Sequence, residues 1–177
     1  FNDYGIGLLL QDDTQGAAKA FATVAELAPT RLDGCRNLAK VAVRDGNLEQ
    51  AYEHLEDCEA LSAGDAQTAW VWGVVLQENG RYDEAVLAYR RVLHDFPEDR
   101  ASWRNLGRVL YLNGQYEEAL QALDSVLEID PEDRIAHYHR MLALRALGRE
   151  DEALNAEQAY QYYQIDESAQ ELTRRYR

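Results

Sequence analysis

The sequence predicts an all-α chain of stacked helix pairs, on three observations. The stretch GRYDEAVLAYRRVLHDFPEDR (80–100) and the stretch GQYEEALQALDSVLEIDPEDR (114–134) are near-paraphrases thirty-four residues apart. The chain is rich in Ala, Leu, Glu, Gln and Arg, all good helix formers, and holds only three prolines, Pro29, Pro97 and Pro131. Written in rows of thirty-four from positions 32, 66, 100 and 134, and one row upward, the whole chain keeps register without insertion or deletion.

The columns place each element in turn. Phe1 enters in the fourth column, so the helix expected over 1–11 lacks its opening residues, as in a domain lying within a longer protein. Its small eighth-column residue is Gly5, and the next helix, 15–28, carries Ala17 in the twentieth column and Phe21 in the twenty-fourth before Pro29. The second row gives helices 33–45 and 49–61, with Ala39, Gly46, Ala51, Leu55 and Ala63 in the eighth, fifteenth, twentieth, twenty-fourth and thirty-second columns. The third gives 67–79 and 83–95 with Gly73, Gly80, Ala85, Tyr89 and Pro97, and the fourth 101–113 and 117–129 with Gly107, Gly114, Ala119, Leu123 and Pro131. The fifth, 135–147 and 151–164, is eroded: Gly148 and Ala153 remain, but Met141, Glu157 and Ile165 replace a small residue, an apolar one and Pro. A capping helix is expected over 167–177, from DESAQELTRRYR. The repeats then span 1–31, 32–65, 66–99, 100–133 and 134–167 of one domain.

Elementary physics explains the columns. Small residues in the eighth and twentieth let two helices cross closely. Glycine in the fifteenth ends the first helix, because it takes the left-handed conformation without strain. Asp83-Glu84, Glu117-Glu118 and Asp151-Glu152 put negative charge at the start of the second helix, where the helix dipole favours it. Pro97 and Pro131 stop that helix.

Trp103, Leu106, Gly107, Ala119, Leu123 and Pro131 match the W-x2-L-G-x2-Y…A-x3-F…P pattern, and the chain resembles the tetratricopeptide-repeat family over nearly its whole length. That resemblance implies a right-handed α-solenoid in which the first helix of each pair (helix A) lines a concave groove and the second (helix B) the convex side. A terminal repeat has no following neighbour, which accounts for the polar substitutions in the fifth row. The ending YQYYQIDESAQELTRRYR is in addition similar to the close of repeat arrays that follow a multihaem cytochrome c module in some bacterial proteins.

Several function classes find no support. A net charge of −14 disfavours nucleic acid and anionic membranes. Mean hydropathy is −0.52, and no apolar run approaches the ~20 residues of a membrane span. There is no phosphate-cradling glycine loop, nucleophile elbow or HExxH, and His137 and His139 lie two apart, on different sides of a helix. The expectation is a chain that is not an enzyme and needs no metal or cofactor. Cys35 and Cys58 form no CxxC. They are either two small buried hydrophobes or a disulfide stapling helix A to helix B, which would place the protein in the periplasm or outside the cell rather than in the cytoplasm.

Charge divides sharply between the two helices of each repeat. In the four complete rows the helix A halves hold nine bases and three acids, a balance of +6, whereas the helix B halves hold four bases and twenty-four acids, a balance of −20. The fifth and ninth columns, which the family resemblance places in the groove, read Asn2/Ile6, Arg36/Lys40, Trp70/Val74, Arg104/Arg108 and Tyr138/Leu142, and Arg44, Tyr111 and Arg145 join them. Arg36-Lys40-Arg44 and Arg100-Arg104-Arg108 are like-charge ladders at i,i+4, each pair costing a few tenths of a kcal/mol unless an anion offsets it. That anion is either a carboxylate of the inter-repeat turns, such as Asp65 or Asp99, or an acidic peptide held by the arginine forks and anchored on Trp70, Tyr111 and Tyr138. The clamp by which some relatives hold chaperone C-termini is not reproduced: Asn37 and Asn105 match single positions, and Trp70, Val74 and Ala101 break the register. The expected partner is therefore an acidic or extended peptide or protein segment bound in the groove. The alternatives are self-assembly into an oligomer or filament through the ends of the stack, or service as the docking segment of a larger periplasmic or extracellular electron-transfer protein.

Overall fold

The structure is a computed structural model. It describes the backbone of residues 1–175 and the side chains of residues 1–164. Ten helices follow one another among the described residues: α1 (Asn2–Leu10), α2 (Thr14–Leu27), α3 (Leu32–Arg44), α4 (Leu48–Leu61), α5 (Ala66–Glu78), α6 (Tyr82–Asp95), α7 (Arg100–Leu112), α8 (Tyr116–Ile129), α9 (Arg134–Ala146) and α10 (Glu150–Arg175). No strand occurs among them. Every boundary up to the start of α10 falls within one residue of expectation.

The end of the chain differs. The separate helices expected over 151–164 and 167–177 are one continuous helix as far as Arg175, and the last two residues of the expected cap lie outside the described residues. The reason is local. Column thirty-two holds Ile165 where three earlier rows hold Pro29, Pro97 and Pro131, and no glycine follows it. Nothing removes the backbone N–H or offers a left-handed residue, so the helix propagates.

Backbone contacts divide the chain into two compact units, Phe1–Val92 and Leu93–Arg177, with the boundary inside α6. Both use the same crossing device. In the first unit, a Cβ on Gly5 would lie 2.6 Å from the Phe21 ring, and one on Gly73 would lie 2.6 Å from Tyr89. In the second, a Cβ on Gly107 would lie 2.7 Å from Leu123 Cγ. The eighth-column glycine is thus the floor on which the large twenty-fourth-column side chain rests. The twentieth-column residues Ala17, Ala51, Ala85, Ala119 and Ala153 are all 0% exposed, the other half of each crossing. Around these crossings the first unit buries Phe21 and Val41 in one cluster and Leu55, Val71 and Val75 in another. The second buries Leu123, Val126 and Ala136.

The fifteenth-column glycines do what the sequence asks. Gly114 has φ +77°, its N–H bonds Tyr111 O, and the N–H of Gln115 bonds Leu110 O, a Schellman close. In the first row Asp12 occupies that column with φ 66° and closes α1 in the same way, with Asp13 N–H on Leu8 O. The thirty-fourth column supplies the matching start signal. Asp65, Asp99 and Asp133 each accept the backbone N–H three residues on, at 2.8 to 2.9 Å, capping α5, α7 and α9.

Candidate functional site

The candidate residues lie on helix A of their repeats, and most of the cations are already engaged within the chain. In the first unit, Arg36 on α3 reaches Asp65 at 3.2 Å and Asp33 at 3.4 Å, and also bonds Gln67 Oε1. Its side chain is only 13% exposed. Asp65 holds three groups at once, because it also caps α5 through Thr68 N and Thr68 Oγ1, both at 2.8 Å. Arg36 therefore ties α3 to the N-terminus of the next repeat's helix A. Arg44 braces in the opposite direction, donating to Leu9 O at 3.0 Å and pairing with Asp12 at 2.9 Å. Trp70 and Val74 on α5 are half-buried, and Trp70 packs against the Leu55–Val71–Val75 cluster.

The second unit repeats the strut one period on. Arg104 on α7 reaches Asp133 at 3.1 Å, and Asp133 caps α9. Arg100 pairs with Asp130 and lies 3.8 Å from Asp133. The side chain of Asp133 is 3% exposed, so its charge is stabilised by these two guanidiniums and the cap. Arg145 is engaged by Glu157 at 2.8 Å, and Arg140 by Asp124 at 2.8 Å. Tyr111 meets Tyr116, ring centroids 5.7 Å apart, while Tyr138, partly exposed, packs edgewise on His139 and tilted on Tyr160.

Two cations remain. Lys40 and Arg108, both in the ninth column, are exposed and make no ion pair among the described residues, Lys40 having only a 3.4 Å contact to Asn37 Oδ1. Partial desolvation, with the Arg36 guanidinium, lowers the Lys40 pKa. Beside Arg108, His139 is pushed down from 6.5 to about 4 by burial and then by the positive charges of Arg108 and Arg104. Its Nδ1 is buried without a hydrogen-bond partner.

The ion-pair ladders thus find their anions in the turns at one column and not at the next. The pairing of fifth-column Arg with thirty-fourth-column Asp is the turn-carboxylate alternative, met by the expected Asp65 for Arg36 and by Asp133 rather than Asp99 for Arg104. Its signal was present, because Asp recurs at 65, 99 and 133 just before helix A, the position an N-cap takes.

Cys35 and Cys58 form a disulfide, their Cα atoms 5.7 Å apart. It joins α3 to α4 within one repeat and is buried, so of the two readings of these cysteines the structure has the staple. Among the described residues there is no cluster of His, Cys, Asp and Glu able to hold a metal, and no helix long and apolar enough to cross a membrane.

Models of the tetratricopeptide repeat match residues 71–134 and 113–170, together more than half of the chain, and a second such model matches 33–57. Among curated proteins, the BBSome complex member bbs-4 of Caenorhabditis elegans is 24% identical over 95 residues, 54% of this chain; the chain spans 21% of that relative's length. Among solved structures, MamA superposes with a TM-score of 0.80 at 21% identity, covering 93% of this chain and 96% of MamA. PilF of Pseudomonas aeruginosa superposes with a TM-score of 0.83 at 20% identity, covering 92% and 74%. The repeat period, the column chemistry and these matches agree, and the chain belongs to the tetratricopeptide-repeat family.

Proposed function

We propose that the chain is a non-catalytic protein-interaction scaffold that binds acidic, extended segments of a partner on the helix A faces. The observation that carries the reading is the pair of exposed ninth-column cations, Lys40 and Arg108, left without a carboxylate while their neighbours one turn away are paired. In the first unit Lys40 supplies the charge and Trp70 and Val74 the apolar contact. In the second Arg108 supplies the charge, with Tyr111 and Tyr138 beside it. Arg36, Arg44, Arg104 and Arg145 set the positive potential while bracing the repeats. The tetratricopeptide-repeat family, and a relative that is a BBSome complex member, support the coarser part of this reading, a protein-interaction scaffold.

A short fluorescein-labelled peptide of alternating Glu and Leu tests it by fluorescence polarisation. Binding should weaken steeply between low and physiological salt, because exposed charges are screened over ~8–10 Å. A lysine-for-glutamate version should not compete for these faces. Salt-independent binding, or competition by the basic version, would contradict the reading. The exposed Tyr4 and Leu10 of α1, with the exposed Phe1 just before it, favour a second reading, self-association through that helix, which light scattering against concentration would reveal.

A further inference from the structure

One cleft does not lie on the candidate faces. It is a hollow of about 700 Å3 in the first unit, between α4, α5 and α6. Its wall is apolar, formed by Ala69, Trp72 and Leu76 of α5 with Leu87 and Ala88 of α6, and Leu87 is 65% exposed there. A second hollow of about 360 Å3 lies between α2, α3 and α4. The two are the same site one period apart. Ala25, Pro29, Cys35, Leu38, His54 and Asp57 of the smaller hollow stand thirty-four residues before Glu59, Ala63, Ala69, Trp72, Ala88 and Arg91 of the larger.

The hollows coincide with a small fourth column in the second and third rows, whereas Phe1 holds it in the first. Cys35 and Ala69 are the small residues, and Cys35 is further drawn onto α4 by the disulfide. In the second unit the same column carries rings. Trp103 packs on the Leu123–Val126 cluster and donates its indole N–H to Pro97 O at 2.7 Å. His137 stacks on Tyr163, with its Nε2 2.9 Å from Pro131 O. The first unit therefore lacks, twice, a ring that the second supplies from its own chain.

The charge between the two hollows states what kind of partner fits. They share α4, whose residues Glu49, Glu53, Glu56, Asp57 and Glu59 face no Lys or Arg in that helix. On the rim of the larger hollow Arg81 is neutralised by Glu84 at 2.6 Å, and Arg91 is turned onto Gly64 O. Glu59 accepts only the Gly64 N–H, and Glu56 has no partner among the described residues.

We infer that this helix B side is a second docking surface, taking a basic segment of a partner protein whose large aromatic side chain enters the Ala69–Trp72–Leu87 hollow while its cations lie along the acidic ridge of α4. The anchor replaces the missing fourth-column ring. Aromatic anchors in desolvated pockets, flanked by complementary charge, are the usual energetic centre of such contacts. The preferred charge is opposite to that of the helix A faces, so the two surfaces are separable by probe and by variant.

The probe is a short fluorescein-labelled lysine-rich peptide with one central tryptophan, compared with the same peptide carrying alanine there. The wild-type protein should bind the tryptophan peptide at least about tenfold more tightly than the alanine peptide. Ala69→Trp, which supplies the ring from within, should erase that preference. Leu87→Gln, on an exposed position that the fold does not need, should reduce it several-fold. Glu56→Lys should weaken both peptides. Equal affinity for the two peptides, no binding of either at millimolar concentration, or an unchanged preference in both Ala69→Trp and Leu87→Gln would overturn the proposal.

Discussion

Replacing Asp133 by Ala removes two interactions at once. The first is the cap on α9, a 2.9 Å bond to Ala136 N whose loss costs about 1 kcal/mol. The second is the pairing with Arg104 at 3.1 Å and Arg100 at 3.8 Å. Asp133 is almost fully buried, whereas the two arginines are partly exposed, so solvent screening reduces this second contribution to about 1–2 kcal/mol. Asp133→Ala should therefore cost about 2–3 kcal/mol, a fall in Tm of about 5–10 °C for a chain of this size. Asp133→Asn keeps a capping oxygen and should lose only about half as much. Asp99→Ala is the internal control. Asp99 caps α7 through Ser102 N at 2.9 Å, but the fifth-column residue of its row is the uncharged Trp70, so only the cap is lost, about 1 kcal/mol. Circular dichroism melts of the three variants, with an Asp133→Asn/Arg104→Met double-mutant cycle, measure these differences. Equal costs for Asp99→Ala and Asp133→Ala, or a coupling energy below about 0.3 kcal/mol, would refute the strut.

Three further outcomes are expected. Gly107→Leu should lower stability by about 1–3 kcal/mol or more in urea unfolding, since even a Cβ there would meet Leu123 Cγ at 2.7 Å; an unchanged midpoint would mean that the crossing is not tight. Cys58→Ala, or reduction by dithiothreitol, should cost about 3 kcal/mol for a loop closed over a separation of 23 residues, read from the same unfolding curves with and without reductant. His139 is held near 4 in the folded protein against 6.5 when exposed, so its contribution is complete above pH 6.5 and is lost as pH falls toward 4. Between pH 7.5 and pH 5 the wild type should lose about 1–2 kcal/mol more than His139→Phe.

Much of the fold was legible because repetition makes each column its own control. A glycine seen at 46, 80, 114 and 148 identifies a helix end more firmly than any single glycine, and all four take positive φ. The separate helix expected over 167–177 is instead the continuation of α10 as far as Arg175, because the repeat columns end there and Ile165 supplies no stop. The disulfide needed a distance, since two cysteines on neighbouring helices are compatible with bonding or with plain burial until the Cα separation is known. The roles of the cations needed geometry as well. Arg104 and Arg108 look equivalent on a helical ladder, yet one reaches a carboxylate twenty-nine residues on and the other does not. The helix B hollows were visible in principle as the change from Cys35 and Ala69 to Trp103 and His137 in the fourth column.

The central claim is that fifth-column cations brace the repeats and ninth-column cations meet the ligand. Arg104→Glu and Arg108→Glu, one helical turn apart, test it in a single paired measurement of Tm and acidic-peptide affinity. Arg104→Glu should melt about 5–10 °C lower, because it sets a carboxylate against Asp133. Arg108→Glu should melt as the wild type does and bind the Glu-Leu peptide about tenfold or more weakly. If instead Arg108→Glu binds normally, or Arg104→Glu melts normally and alone loses the peptide, the division of labour between the two columns is wrong.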